Sequence, residues 1–147
     1  MGDHSSGTMH WSYPAALRFL RVLRARGWTA TTWQVLDATR SAAVHSDAAS
    51  VRSLFRECGV DDWQGSVGCE LTGRSEEGRR VHRYWIPDRL RELAARVLQH
   101  ESTNPTRRGS RPDFTHQRAR EREAAARGKV AKLRPRGADP KEQAALF

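Results

Sequence analysis

Residues 31–59, TTWQVLDATRSAAVHSDAASVRSLFRECG, limit what this chain can fold into more than any other stretch. Thr31 and Thr32 suit a helix N-cap, because a hydroxyl accepts from the free N–H groups of a first turn. Val35, Leu36, Ala38 and Thr39 give a short helix one apolar side, and Arg40-Ser41-Ala42-Ala43 interrupts it, with Ser41 placed to cap the next helix. Val44, Ala48, Val51 and Phe55 then recur at steps of four, three and four, the stripe of a second, longer helix. At about 100° per residue, Ala42, Ser46, Ala49, Ser50, Ser53 and Arg56 fall on the opposite side, with His45 and Arg52 on its flank. Gly59 is the predicted stop, since a left-handed position after a helix suits glycine.

Two helices joined by so tight a turn predict a helix-turn-helix. The predicted outer face of the second helix is small, polar and poor in carboxylates. Such a face fits a DNA major groove: small side chains admit the backbone, hydroxyls serve donor or acceptor edges, and arginine pairs with guanine or phosphate. An unrelated helical hairpin is the alternative.

The flanking sequence extends this core. Ser12 and Pro14 open an earlier helix, whose apolar side is Ala16, Leu17, Phe19, Leu20 and Leu23 and which Gly27 ends. Trp28 and Trp33 are expected to pack beneath the helix pair. After Gly59, Val67, Cys69 and Leu71 alternate with polar residues as in a half-exposed strand, 73–78 is a turn, and RRVHRYWIP returns. Burial on the returning strand is undecided between Val81, Arg83 and Trp85 and the alternate set His82, Tyr84 and Ile86. The turn gathers Arg74, Arg79 and Arg80, residue types that reach phosphates or a minor groove. Glu76 and Glu77 in the same loop oppose that role.

The run from Thr31 to Gly59, with a hairpin after it ending GRRVHRYWIP, resembles small winged helix-turn-helix proteins of bacteriophages and prophages. In these a TTWQL-like helix leads into an "xAVHSxIAxLRxxG"-like second helix, and a short hairpin ends in an aromatic-rich strand. The resemblance spans about residues 15–87 and is closest over Ala42-Ala43-Val44-His45-Ser46-Asp47. Departures are Phe55-Arg56, where a shorter ending is usual, and the acidic pair in the wing. It implies a mainly α fold with a small β-hairpin and contact with double-stranded DNA through the second helix and the wing.

Beyond the hairpin, Pro87 and Asp88 open a helix, with Asp88 as its expected cap, whose stripe is Leu90, Leu93, Ala94, Val97 and Leu98. This helix is expected to pack on the domain, the alternative being a homodimer interface. Residues 1–11 carry no periodicity and are expected to be disordered, and 12–101 is the expected domain. Residues 102–147 form a basic tail: 102–114 reads as a linker, and 115–133 as either a helix formed on a charged partner or a solvated segment. The end, Gln143-Ala144-Ala145-Leu146-Phe147, resembles the peptide that docks on bacterial sliding clamps. There Gln143 satisfies buried backbone groups, while Leu146 and Phe147 fill an apolar cleft. Ala144 replaces a usual leucine. Clamp capture, by this peptide on an interaction protein, is therefore the alternative to DNA binding.

Charge sharpens the division. Up to residue 101 there are 14 arginines and 12 acidic residues, whereas the remainder has 12 lysines or arginines and 5 acidic residues, so the tail carries most of the +9. A basic tail adds non-specific affinity for nucleic acid. Arginine outnumbers lysine 23 to 3 along the whole chain, a bias that codon usage also produces. No phosphate-cradling glycine loop, HExxH, G-x-S-x-G or metal-spaced acidic pair is present, so neither an enzyme nor a bound cofactor is expected. Cys58 and Cys69 with His45 and His82 lack zinc spacing, and two reduced structural cysteines are expected. No apolar run reaches membrane-spanning length, so a soluble, cytoplasmic protein without a membrane partner is expected.

Overall fold

The computed structural model describes residues 11–106 and 112–133. In chain order these form α1 (Tyr13–Ala25), β1 (Thr29–Thr31), α2 (Thr32–Thr39), α3 (Val44–Glu57), a 3₁₀ turn at Trp63–Gly65, β2 (Gly68–Arg74), β3 (Arg80–Trp85), α4 (Asp88–Thr103) and α5 (Thr115–Leu133). The protein is mainly helical, with one small antiparallel sheet in the order β1-β3-β2. No described helix is long and apolar enough to cross a membrane.

The starts of α1 and α2 are set by their caps. The Ser12 hydroxyl accepts from Ala15 N–H and Pro14 sits in the first turn of α1, where a missing N–H costs nothing. Thr31 caps α2 in a reciprocal box: its hydroxyl accepts from Gln34 N–H, and the Gln34 amide oxygen accepts from Thr31 N–H. Arg40, in the left-handed region at φ 59°, closes α2 and turns the chain towards α3. Ser41 accepts from Ala43 N–H inside this turn, and α3 itself starts from Ala43 with no side-chain cap.

Between α1 and α2 lies a strand that periodicity does not announce. Gly27 and Trp28 both take positive φ, 76° and 73°, and this reverses the chain into β1. For a tryptophan that conformation is uncommon, and here Trp28 is held by its N–H to Leu23 and by its carbonyl, which accepts from Ile86 N–H. Three residues are too few to show a period of two, so only pairing with β3 reveals the strand.

That pairing settles the face left open for the returning strand. Ala30 lies opposite Tyr84, and Tyr84 and Ile86 are buried. Phe19 of α1 meets Tyr84 edge-to-face, with ring centroids 5.5 Å apart. On the other face Arg83 bridges Glu70 at 2.8 Å and lies over the Trp85 ring at 4.9 Å. Trp85 covers Gly68 so closely that a Cβ there would stand 2.0 Å from the indole, which only glycine permits.

The α4 stripe of Leu90, Leu93, Ala94, Val97 and Leu98 is buried in the same core, which leaves none of it for a second copy. The linker reading of 102–114 is corrected at its two ends, where α4 runs through Thr103 and Phe114 joins the core; residues 107–111 lie outside the described residues. Phe114 is buried, packed edge-to-face on Tyr13 at 6.1 Å, and α5 starts directly after it. Arg118 then reaches back to the Glu57 carbonyl at the end of α3. Trp11, just outside the expected domain start, is also part of the core.

Glu101 ties this region together: its carboxylate accepts from the Tyr13 phenol at 2.9 Å and from the N–H and hydroxyl of Thr106 at 2.7 and 2.6 Å. Burial pushes the Glu101 carboxyl up, but the bonds from Thr106 and Tyr13 together outweigh it and hold it below the usual carboxylate value. A depressed folded-state pKa stabilises above the unfolded value and is lost as pH falls through the folded one. Glu101→Gln is therefore expected to cost about 1–3 kcal/mol at neutral pH. The difference from wild type should close as the pH drops below about 4.3, which urea titrations at pH 7 and pH 3 would read.

Candidate nucleic-acid interface

The outer surface of α3 is narrower than its sequence predicts. His45, Ser46 and Ala49 are exposed, as is Ala42 just before the helix. Ser50 and Ser53, expected on the same face, are buried, at 7% and 1% exposure, and cannot meet a base. Their small side chains do admit a close backbone, but that backbone is the chain's own. The start of α1 lies against this side, and Ser50 Oγ accepts from Ser12 N–H at 3.2 Å. Trp11, Ser12 and Ala15 line the shallow groove with Ser46, Ala49, Ser50 and Ser53. One residue further round, buried Asp47 accepts from the Arg18 guanidinium at 3.2 and 3.3 Å, clamping α1 to the start of α3.

The second half of α3 is also occupied. Arg52 donates to the Val67 carbonyl at 3.2 Å, and Arg56 lies 5.2 Å from the Trp63 ring centroid. Both arginines are half-buried against the loop leading to β2. The free surface therefore belongs to the first half of α3 and the turn before it.

The hairpin stands beside that half. Arg74 opposes Arg80 in the β2–β3 register, next to an irregularity between Leu71 and Gly73. Arg74, Arg79 and Arg80 are exposed; Arg74 also donates to the Gly78 carbonyl at 3.0 Å, which closes the tip. Glu77, an acid that opposed an anion-binding role here, is fully exposed and turned into the tip. Its own backbone N–H and the Ser75 hydroxyl hold its carboxyl below the usual value.

Between hairpin and helix pair lies a cleft of about 310 Å³ that brings Ala42 and His45 together with Arg79 and Arg80. Two residues that sequence reasoning left out of the interface join them, Trp33 and His82. The rings of His45 and His82 are 6.3 Å apart. Trp33, expected beneath the helices, is instead exposed. Thr32 fixes the geometry: its hydroxyl accepts from His82 N–H at 2.9 Å and donates to the His82 carbonyl at 3.2 Å. Among the described residues no carboxylate lines the cleft.

The cysteines take no part. Cys58 is fully buried; burial first, then the nearby Glu121 and Glu57 carboxylates, push its thiol up to about 12. Burial raises Cys69 as well. Both thiols are free, and among the described residues no three His, Cys, Asp or Glu side chains are grouped to hold a metal. Asp61 and Asp62 are exposed, and Asp62 pairs with Arg89 at 2.7 Å. Gln143, Leu146 and Phe147 lie outside the described residues.

Set against protein-family models, curated proteins and solved structures, the chain matches none of them.

Proposed function

We propose that this chain is a winged helix-turn-helix protein that binds double-stranded DNA. The first half of α3 enters the major groove, and the β2–β3 hairpin, as the wing, rests on neighbouring phosphates or in the minor groove. The observation that carries this reading is one juxtaposition. Ala42, His45, Ser46 and Ala49 form a small surface whose neighbouring carboxylate, Asp47, is buried and held by Arg18, and Arg74, Arg79 and Arg80 stand at its side on a hairpin braced by the core. The order helix, strand, helix, helix, hairpin supports it, because each step places the next element against the same core. The resemblance of residues 15–87 to phage and prophage proteins extends the proposal to a mobile-element origin. Clamp capture through Gln143, Leu146 and Phe147 gains no further support from the described residues.

Titrating duplex DNA at increasing salt tests the proposal. If the three wing arginines each neutralise a phosphate, log K should fall against log salt with a slope of about −2.7 or steeper. Absent or salt-insensitive duplex binding would remove the assignment.

A further inference from the structure

We infer that the cleft between α2, the start of α3 and β3 is a binding site for a planar aromatic anion of nucleotide size. Its volume, about 310 Å³, falls at the small end of the range of ligand pockets, about 300–1,000 Å³. Leu36, Val44 and Tyr84 supply apolar lining, Arg79 and Arg80 supply guanidinium groups and His45 and His82 hydrogen-bonding rings, and no described carboxylate opposes them. A neutral apolar ligand leaves the guanidinium groups unused, and a bare phosphate leaves the indole unused. A ring bearing a phosphate or carboxylate uses both.

Trp33 is the residue that most needs a partner. Trp63 lies under Arg56, Trp85 lies under Arg83, Trp28 packs on the core, and Trp11 is buried beside Tyr13. Trp33 is 37% exposed at the rim of the cleft. It stands at the second position of a helix locked by the Thr31–Gln34 box, so the indole is offered from a rigid base. Stacking on such a face is tolerant of the base involved. Arginine adds planar donors suited to phosphate or carboxylate. The paired hydrogen bonds of Thr32 to His82 hold the two walls together, so the cleft is built before any ligand arrives.

A free nucleotide and an unpaired nucleotide at a DNA end share this chemistry. His45, Arg79 and Arg80 also belong to the proposed DNA surface, so competition between ligand and duplex rests on that reading. Ligand binding does not.

The test is calorimetric titration of the full chain, without DNA, using deoxyadenosine monophosphate, with deoxyadenosine and inorganic phosphate as separate probes. The monophosphate should saturate the protein and bind more tightly than either part. Trp33→Ala and Arg80→Ala should each weaken it about ten-fold, while Trp33→Phe keeps most of the affinity, since a ring still stacks. Unchanged circular dichroism of each variant separates lost binding from lost fold. A second arm compares a blunt duplex with one ending in an unpaired deoxyadenosine. Preference for the unpaired end, sensitive to Trp33→Ala, assigns the site to a DNA end; saturation by the free monophosphate assigns it to a free ligand. The inference is overturned if neither the monophosphate nor the unpaired-end duplex binds more tightly than about 1 mM, if inorganic phosphate matches the monophosphate, or if the Trp33 and Arg80 variants bind as wild type does.

Discussion

Replacing Arg74, Arg79 and Arg80 together by alanine is expected to weaken duplex binding on the order of 100-fold at about 0.15 M salt. Counterion release sets this magnitude. Each neutralised phosphate contributes about 0.9 to the slope of log K against log salt, so three lost contacts remove about 2.7. At that salt each contact corresponds to roughly a five-fold factor in affinity. All three side chains are exposed, and none fills the core, so the fold should persist. Arg74 also closes the hairpin tip on the Gly78 carbonyl, a contact whose loss loosens only the tip. Fluorescence anisotropy at several salt concentrations would read affinity and slope together. If the triple variant keeps the wild-type slope, the hairpin does not touch phosphates.

The largest effect on stability is expected from Phe19→Ala. Phe19 is fully buried in α1 and meets Tyr84 of β3 edge-to-face, so it joins the helical layer to the sheet that carries the β2–β3 hairpin. Removing a buried phenyl ring costs about 3–5 kcal/mol, because the lost transfer energy is compounded by the cavity left behind. That is a large fraction of the about 5–15 kcal/mol typical of a folded domain. Equilibrium urea denaturation is the measurement. A cost below about 1 kcal/mol would mean that Phe19 is not the joint between the layers.

Much of this architecture is legible in the residues. The stripe Val44, Ala48, Val51 and Phe55 is buried as its spacing predicts, as is the α4 stripe from Leu90 to Leu98. Ser12, Thr31 and Gly59 mark helix boundaries where local hydrogen-bonding chemistry places them. These features are visible because they depend on neighbours within one or two turns.

Features that depend on partners far along the chain are concealed. A helical wheel gives directions from an axis but not what lies in each direction, so Ser50 and Ser53 look outward on the wheel although α1 covers them. Small side chains serve a DNA groove and a close helix contact equally well, and composition does not separate the two. Likewise, the inward face of β3 is ambiguous in sequence because both alternating sets contain large residues; the Ala30–Tyr84 pairing decides it. Phe114 sits among proline, glycine and serine residues that suggest a linker, and only its contact with Tyr13 shows it to be core. In the candidate site, His45, Arg79 and Arg80 are each readable from sequence. Their meeting with Trp33 and His82 depends on the Thr32 bridge, which spans 50 residues.

Ala49→Glu most directly tests the central claim that the first half of α3 faces a duplex. Ala49 is exposed between His45 and Arg52 on the helix, and glutamate is a good helix former, so the substitution alters charge with little effect on fold. If that surface lies in a DNA groove, the new carboxylate meets phosphates and base edges, and duplex affinity should fall at least about ten-fold at unchanged helix content. Duplex affinity equal to wild type, measured with the same probe and salt, would contradict the account.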